Sequence, residues 1–326
     1  MALFDMPLYA LREYLPELDE PADLDAFWAA TLAEARQVPV LLSIEPVDNG
    51  LALVDSYDVT FAGHSGSPIR AWFDRPAGAT GDLPVVVEYL GYGGGRGEPH
   101  ERILWAAAGC AHLLMDSRGQ GGAGVRGSTP DPVGSGPAAP GMMTRGIASP
   151  HTSYPTRLLT DAARAVDAAR ELPGVDGRVV LTGNSQGGGL ALGAAGLVPD
   201  VQGLMTNVPF LAHMRRAVDL VDTEPYREIV RFLAVHRDRE EEVWRTLSYV
   251  DVMHLGRRAQ APALFSVGLR DTTCPPSCVF AAHNHYGSAG GTAPDREIAV
   301  YPYNGHEGGG AQHQRRMLDM LRTLLA

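Results

Sequence analysis

Apolar positions along the chain follow two regimes. Over residues 54–61 and 69–73 they alternate with polar ones, which predicts two antiparallel strands joined by a turn at Gly63-His64-Ser65-Gly66. From residue 83 the pattern changes. Leu83-Pro84-Val85-Val86-Val87-Glu88-Tyr89-Leu90 is a near-continuous apolar run, the mark of a parallel strand buried on both faces. Further strands are predicted at 111–116, 179–182, 201–208, 262–268 and 298–303. Helical spacing falls between them: at 101–108, at 156–172 with Leu158, Leu159, Ala162, Ala165, Val166 and Ala169 on one stripe, after Gly187 to about Gly196, and at 312–325. Strands alternating with helices predict an α/β chain with a mostly parallel central sheet and helices on both faces.

Three stretches stand outside that alternation. Residues 1–45 read as an N-terminal extension, with a short helix at 11–18 and a second helix capped by Asp23 and running through Trp28 and Leu32. Residues 117–150 are rich in Gly, Pro and Ser and read as a long ordered loop, a length that usually signals function. Residues 210–258 are helical and charged and read as an insertion that lies over the sheet edge as a lid. With no repeat, low-complexity tail or linker, the 326 residues are expected to form a single domain.

Composition narrows the partners. A net charge of −11 disfavours nucleic acid, which needs a basic surface. No run of 18 uncharged apolar residues predicts a membrane span, and the acidic N-terminus does not read as a secretory signal. Three cysteines, Cys110, Cys274 and Cys278, make no disulfide framework and suit a cytoplasmic protein.

The candidate chemistry centres on Gly183-Asn184-Ser185-Gln186-Gly187. It fits G-x-S-x-G between a buried strand and an Ala-rich helix, the context of the nucleophile elbow of α/β-hydrolases. The turn holds Ser185 out at a helix N-terminus, where the Gln186 N–H and the helix dipole face a developing oxyanion. A serine nucleophile needs a base, and the base an orienting acid, in the chain order Ser, acid, His. Asp271, just after the strand at 262–268, is the candidate acid; Asp251 and Asp295 are less well placed. His306, in the loop after the last strand, is the candidate base; His283 and His285 fall in a helix ahead of that strand and His313 in the final helix. The glycine-rich loop Gly91-Tyr92-Gly93-Gly94-Gly95-Arg96-Gly97 lets backbone approach a substrate, and the Tyr92 N–H is the candidate second oxyanion donor. No Gly-Lys-Ser/Thr follows it, against a phosphate-binding loop.

No metal and no cofactor is expected. Cys274-x3-Cys278 with His283 and His285 departs from zinc-ligand spacing. The run Arg237-Asp238-Arg239-Glu240-Glu241-Glu242 reads as a solvated helix face.

Arg118-Gly119-Gln120-Gly121-Gly122, Gly183-Asn184-Ser185-Gln186-Gly187-Gly188 and His306-Glu307 together resemble the signatures of the acetyl xylan esterase and cephalosporin-C deacetylase family. The likeness extends over Leu3 to Leu8, the Met143-Thr144-Arg145-Gly146-Ile147 loop and Leu159-Thr160-Asp161-Ala162, and so over essentially the whole chain. It implies removal of acetyl groups from acetylated xylo-oligosaccharides and small acetylated compounds such as cephalosporin C, through an acetyl-Ser185 intermediate. It carries the nucleophile, acid and base onto Ser185, Asp271 and His306 and the oxyanion donors onto Tyr92 and Gln186. It makes Arg118, Gln120 and Glu307 structural supports of the site. It also implies an intracellular homo-oligomer, a ring-like hexamer. Pro275-Pro276-Ser277 followed by Cys278, and a glycine-rich 284–296 stretch, depart from the family pattern beside the pocket. Two rivals remain: an exopeptidase or long-chain carboxylesterase on the same triad, and a non-catalytic scaffold.

Overall fold

A computed structural model describes residues 3–122, 124–134 and 136–326. Its strands are β1 (Leu41–Val47), β2 (Val54–Ala62), β3 (Pro68–Pro76), β4 (Leu83–Tyr89), β5 (Ala111–Met115), β6 (Val175–Asn184), β7 (Gly203–Asn207), β8 (Ala263–Gly268) and β9 (Arg296–Tyr301). They form one sheet in the order β1-β2-β3-β5-β4-β6-β7-β8-β9. The pairs β1–β2, β2–β3 and β3–β5 are antiparallel; every pair from β5 through β4 to β9 is parallel. Alternation in β2 and β3 and solid apolar runs from β4 onward thus mark the two halves.

The helices are α1 (Leu8–Glu13), α2 (Leu24–Ala35), α3 (Leu104–Ala107), α4 (Tyr154–Glu171), α5 (Gln186–Leu197), α6 (Met214–Leu220), α7 (Arg227–Val235), α8 (Glu240–Ser248), α9 (Val252–Leu255), α10 (Pro276–His285) and α11 (Gly310–Leu325). One face of the sheet buries Val85, Val87, Leu113 and Leu181 against α4 and α5 in the main core. The other buries Val86, Val180, Met205 and Leu264 against Trp105 of α3 and Met317 and Leu321 of α11. Because successive strand residues face opposite ways, the inner parallel strands need apolar side chains at most positions. Ser153 caps α4 by accepting from the Thr156 N–H at 3.3 Å, with Pro155 in the first turn, where its missing N–H costs nothing.

Four expectations change. The first helix is Leu8–Glu13 rather than 11–18, because Pro7 sets its start. The helix expected at 101–108 contracts to α3. Asp23 precedes α2 but does not cap it; its carboxylate accepts from the Tyr249 hydroxyl at 2.6 Å. The extension expected over 1–45 runs into β1, an edge strand that carries Pro46. An edge strand can hold a proline and be mostly solvated, so it lacks the apolar pattern that reveals inner strands. Residues 210–258 carry α6 to α9, with no strand among them.

Candidate active site

β6 ends at Asn184 and α5 begins at Gln186, leaving Ser185 alone to reverse the chain. It does so at φ 58° and ψ −119°, a strained conformation for a non-glycine residue. The strain is held from both sides: the Ser185 N–H donates to the Asn207 carbonyl at 2.9 Å, and its own carbonyl accepts from Gly189 and Phe210, each at 2.9 Å. Glycine is required around it by contact. A Cβ on Gly183 would lie 2.3 Å from the Gly187 carbonyl carbon, and one on Gly187 2.0 Å from the Tyr89 oxygen.

Asp271 follows β8 and is fully buried. Its Oδ1 accepts from the N–H groups of Thr273 at 2.8 Å and Cys274 at 2.9 Å, and its Oδ2 lies 2.8 Å from His306 Nδ1. His306 follows β9 and is partly exposed; it lines one groove together with Ser185, Tyr92 and Thr273. Three of the alternatives have other partners. Asp251 caps α9 through the Met253 N–H at 2.9 Å and accepts from the His213 and Met214 N–H groups. His285 Nε2 meets the Pro16 carbonyl at 2.9 Å, and His313 Nδ1 meets the Tyr301 hydroxyl at 3.0 Å. Cys274 packs against the Ser185 side chain; burial first, then Asp271 and Cys278, push its thiol well above the ordinary range, so it stays neutral.

Tyr92 and Gln186 border the same end of the sheet. Among the described residues neither main-chain N–H donates to a protein acceptor. Gln120 ties their segments together. Its Oε1 accepts from the Gly93 N–H at 2.6 Å, and its Nε2 donates to Gln186 Oε1 at 2.9 Å and to the Tyr154 hydroxyl at 2.8 Å. Arg118 is buried and forms a two-point ion pair with Asp161, at 2.6 and 2.8 Å. Asp161 also accepts the His64 N–H, and Gly63 must be glycine there, because a Cβ would lie 2.2 Å from Asp161 Oδ1. Glu307 is exposed and folds back on its own loop, accepting from Gly305 N–H at 3.0 Å and Asn304 Nδ2 at 2.7 Å.

Sequence reasoning missed Glu228 and Tyr154. Glu228, buried on α7, accepts the Tyr92 hydroxyl proton and, at 2.8 Å, the Met143 N–H. The Tyr92 oxygen in turn accepts from the Met142 N–H at 2.7 Å. Burial is the main force that raises the Glu228 carboxyl above its ordinary range. Nothing local could have revealed it, since an acid on a charged helix reads as solvated. Tyr154 carried a weak signal, an aromatic beside a helix cap; its hydroxyl donates to the Arg118 carbonyl at 2.6 Å.

With this geometry the chain can be compared with known proteins. The acetyl xylan esterase (AXE1) family model matches residues 1–324. The acetyl xylan esterase of Paenibacillus sp. R4 is 39% identical and superposes with a TM-score of 0.90, covering 98% of this chain and 99% of that one. Acetyl xylan esterase 1 of Thermoanaerobacterium sp. JW/SL YS485 is 33% identical with a TM-score of 0.89, covering 99% and 100%. The acetyl esterase Axe7A of Xylanibacter ruminicola is 30% identical over 295 residues, 89% of this chain, which spans 64% of the length of that relative. The acylaminoacyl peptidase of Pyrococcus horikoshii, at 15% identity and a TM-score of 0.60 over 84% of this chain and 41% of that one, shares the fold alone. The fold is thus that of the α/β-hydrolases. A family match over nearly every residue, on a sheet that superposes from end to end, means that the chain belongs to the acetyl xylan esterase family.

Proposed function

We propose that this protein is a serine esterase that removes acetyl groups from acetylated xylo-oligosaccharides and from small acetylated compounds such as cephalosporin C. The observation that carries the reading is the 2.8 Å contact between His306 Nδ1 and buried Asp271, in a groove shared with a strained Ser185 at a helix N-terminus. The acetyl esterase activity for which the matching relatives are named supports the acetyl ester as the bond broken.

In this reading Ser185 Oγ attacks the acetyl carbonyl while His306 Nε2 takes its proton. Asp271 holds the imidazole with its Nδ1–H inward and stabilises the imidazolium that forms. The oxyanion points at the Tyr92 and Gln186 N–H groups; losing one such donor costs about 2.7–4 kcal/mol of transition-state stabilisation. His306 then protonates the departing alcohol. Water attacks acetyl-Ser185 by the same route and releases acetate. Every step uses groups of this chain.

Residues 1–326 then act as one functional unit, with 210–258 as a lid and the residues ahead of β1 as an extension. The protein would be a cytoplasmic homo-oligomer, hexameric by family resemblance. The buried state of Cys110, Cys274 and Cys278 is compatible with a reducing compartment. Among the described residues no helix is long and apolar enough to cross a membrane.

The test is acetate release from acetylated xylo-oligosaccharide and from cephalosporin C, beside p-nitrophenyl esters of increasing acyl length. Turnover confined to acetyl and propionyl esters is expected. A preference for long acyl chains, or for peptide amides, would overturn the deacetylase reading.

A further inference from the structure

Among the described residues, those other than glycine with a positive φ are Ser65, Ser185, Val208, Leu211 and His213. The last three lie just past β7, on the stretch that leads into the helical insertion. Val208 differs from the rest in being β-branched. At φ 39° its side chain crowds its own backbone, in a region that glycine or asparagine enters at far lower cost. Such strain persists only where the surrounding structure imposes it. A valine kept in a conformation suited to glycine implies a use for its side chain.

The stretch around Val208 holds the nucleophile by its main chain. The Asn207 carbonyl accepts the Ser185 N–H, and the Phe210 N–H donates to the Ser185 carbonyl, each at 2.9 Å. The Val208 N–H donates to the Ser266 carbonyl at 3.1 Å, which fixes the exit from β7 against β8. The start of α5 is shaped to admit this stretch. A Cβ on Gly188 would lie 2.6 Å from the Asn207 oxygen, and one on Gly189 2.1 Å from the Phe210 oxygen.

The Val208 side chain, 1% exposed, faces the turn that carries His306. That turn closes through the Gly308 N–H and the Gly305 carbonyl at 3.2 Å. A Cβ on Gly308 would lie 2.8 Å from Val208 Cγ1, so the valine abuts the main chain two residues past His306. Phe210 adds a third contact, its ring edge-on to that of Tyr92 with centroids 6.2 Å apart. One strained stretch of four residues thus touches the segments that carry the proposed nucleophile, base and oxyanion donor.

We propose, on the esterase reading for the roles of Ser185 and His306, that Val208 is a positioning residue, held in a left-handed conformation so that its side chain fixes the His306 turn relative to Ser185. Glycine at 208 relaxes the backbone but leaves a gap under the turn. Alanine leaves the gap and keeps the strain. Threonine keeps the branched shape and buries a hydroxyl.

The variants Val208→Gly, Val208→Ala and Val208→Thr separate positioning from packing. For each, kcat and KM for p-nitrophenyl acetate, Tm, and the rate at which diisopropyl fluorophosphate labels Ser185 are measured. Val208→Gly and Val208→Ala are expected to lower kcat and the labelling rate about 10- to 100-fold, the cost of a small misplacement, with KM nearly unchanged. Val208→Gly is expected to melt a few degrees above Val208→Ala, because glycine alone relaxes the backbone. Val208→Thr is expected to keep most of the wild-type kcat although its hydroxyl lowers Tm. A kcat loss that follows Tm across the three variants, or folded Val208→Gly with wild-type kcat and labelling rate, would overturn the positioning role. If Val208→Ala does not fold, Val208→Gly against Val208→Thr decides. Wild-type protein that hydrolyses no acetyl ester yet is labelled at Ser185 would overturn the deacetylase reading alone, and the labelling rates would still decide the role of Val208.

Discussion

Asp271 shows how few atoms hold the proposed catalytic histidine. One carboxylate oxygen takes two main-chain N–H groups and the other takes His306. The loop therefore aims the carboxylate, and the carboxylate aims the ring. Asp271→Asn keeps the shape but replaces an acceptor by a donor wherever the amide nitrogen faces His306, which favours the wrong tautomer. With the fold intact by circular dichroism, kcat is expected to fall roughly 10⁴-fold, the scale seen when a triad aspartate is so replaced. A loss below tenfold would remove Asp271 from the triad. These residues were readable because the cues are short-range: a G-x-S-x-G turn between strand and helix, and an acid and a histidine each a few residues past a strand end.

At the scale of elements, the helical insertion is tied to the Tyr92 loop through Glu228. Glu228 on α7 is clasped by Tyr92 and by the 142–143 backbone, and Gly141 is glycine because a Cβ there would lie 2.1 Å from the Glu228 carboxyl. Tyr92 is thereby pinned at its hydroxyl while its N–H is the proposed oxyanion donor. Glu228→Ala is expected to lower kcat by up to ~10²-fold, short of the loss on deleting a donor outright, with KM nearly unchanged. Glu228→Gln should recover much of it, since an amide oxygen still accepts. A rise in KM at constant kcat would contradict the positioning role. Tyr92 and Glu228 are 136 residues apart, so no local pattern joins them. The same limit hid β1, whose edge position and Pro46 leave no apolar stripe, whereas inner strands such as β5, β7 and β8 were legible because burial on both faces demands mostly apolar residues.

For the whole molecule, the sheet holds a buried ion triad of His112, Asp74 and Glu88. His112 on β5 is fully buried, with Nδ1 3.4 Å from Asp74 and Nε2 3.3 Å from Glu88. Burial alone would discharge it, but the two carboxylates prevail and raise His112 to about 9, while Glu88 falls to about 2. Stability from His112 is full below its unfolded value of ~6.5 and is lost as pH rises through 9. Stability from Glu88 is present above ~4.3 and is lost as pH falls toward 2. The chain has no lysine, so few other groups titrate in the alkaline window. Tm is expected to fall by a few degrees between about pH 7 and 9.5, and to do so less steeply in His112→Gln, as read by thermal melts. Equal slopes in the two proteins would mean that the triad does not set the alkaline loss of stability.

The proposed chemistry stands or falls on an acetyl group passing through Ser185. Mass spectrometry of protein quenched during turnover of an acetyl ester tests this step most directly. One added acetyl group is expected on the peptide that carries Ser185, and neither that adduct nor turnover in Ser185→Ala. Turnover that persists in Ser185→Ala, or an acetyl group found on another residue of the active protein, would contradict it.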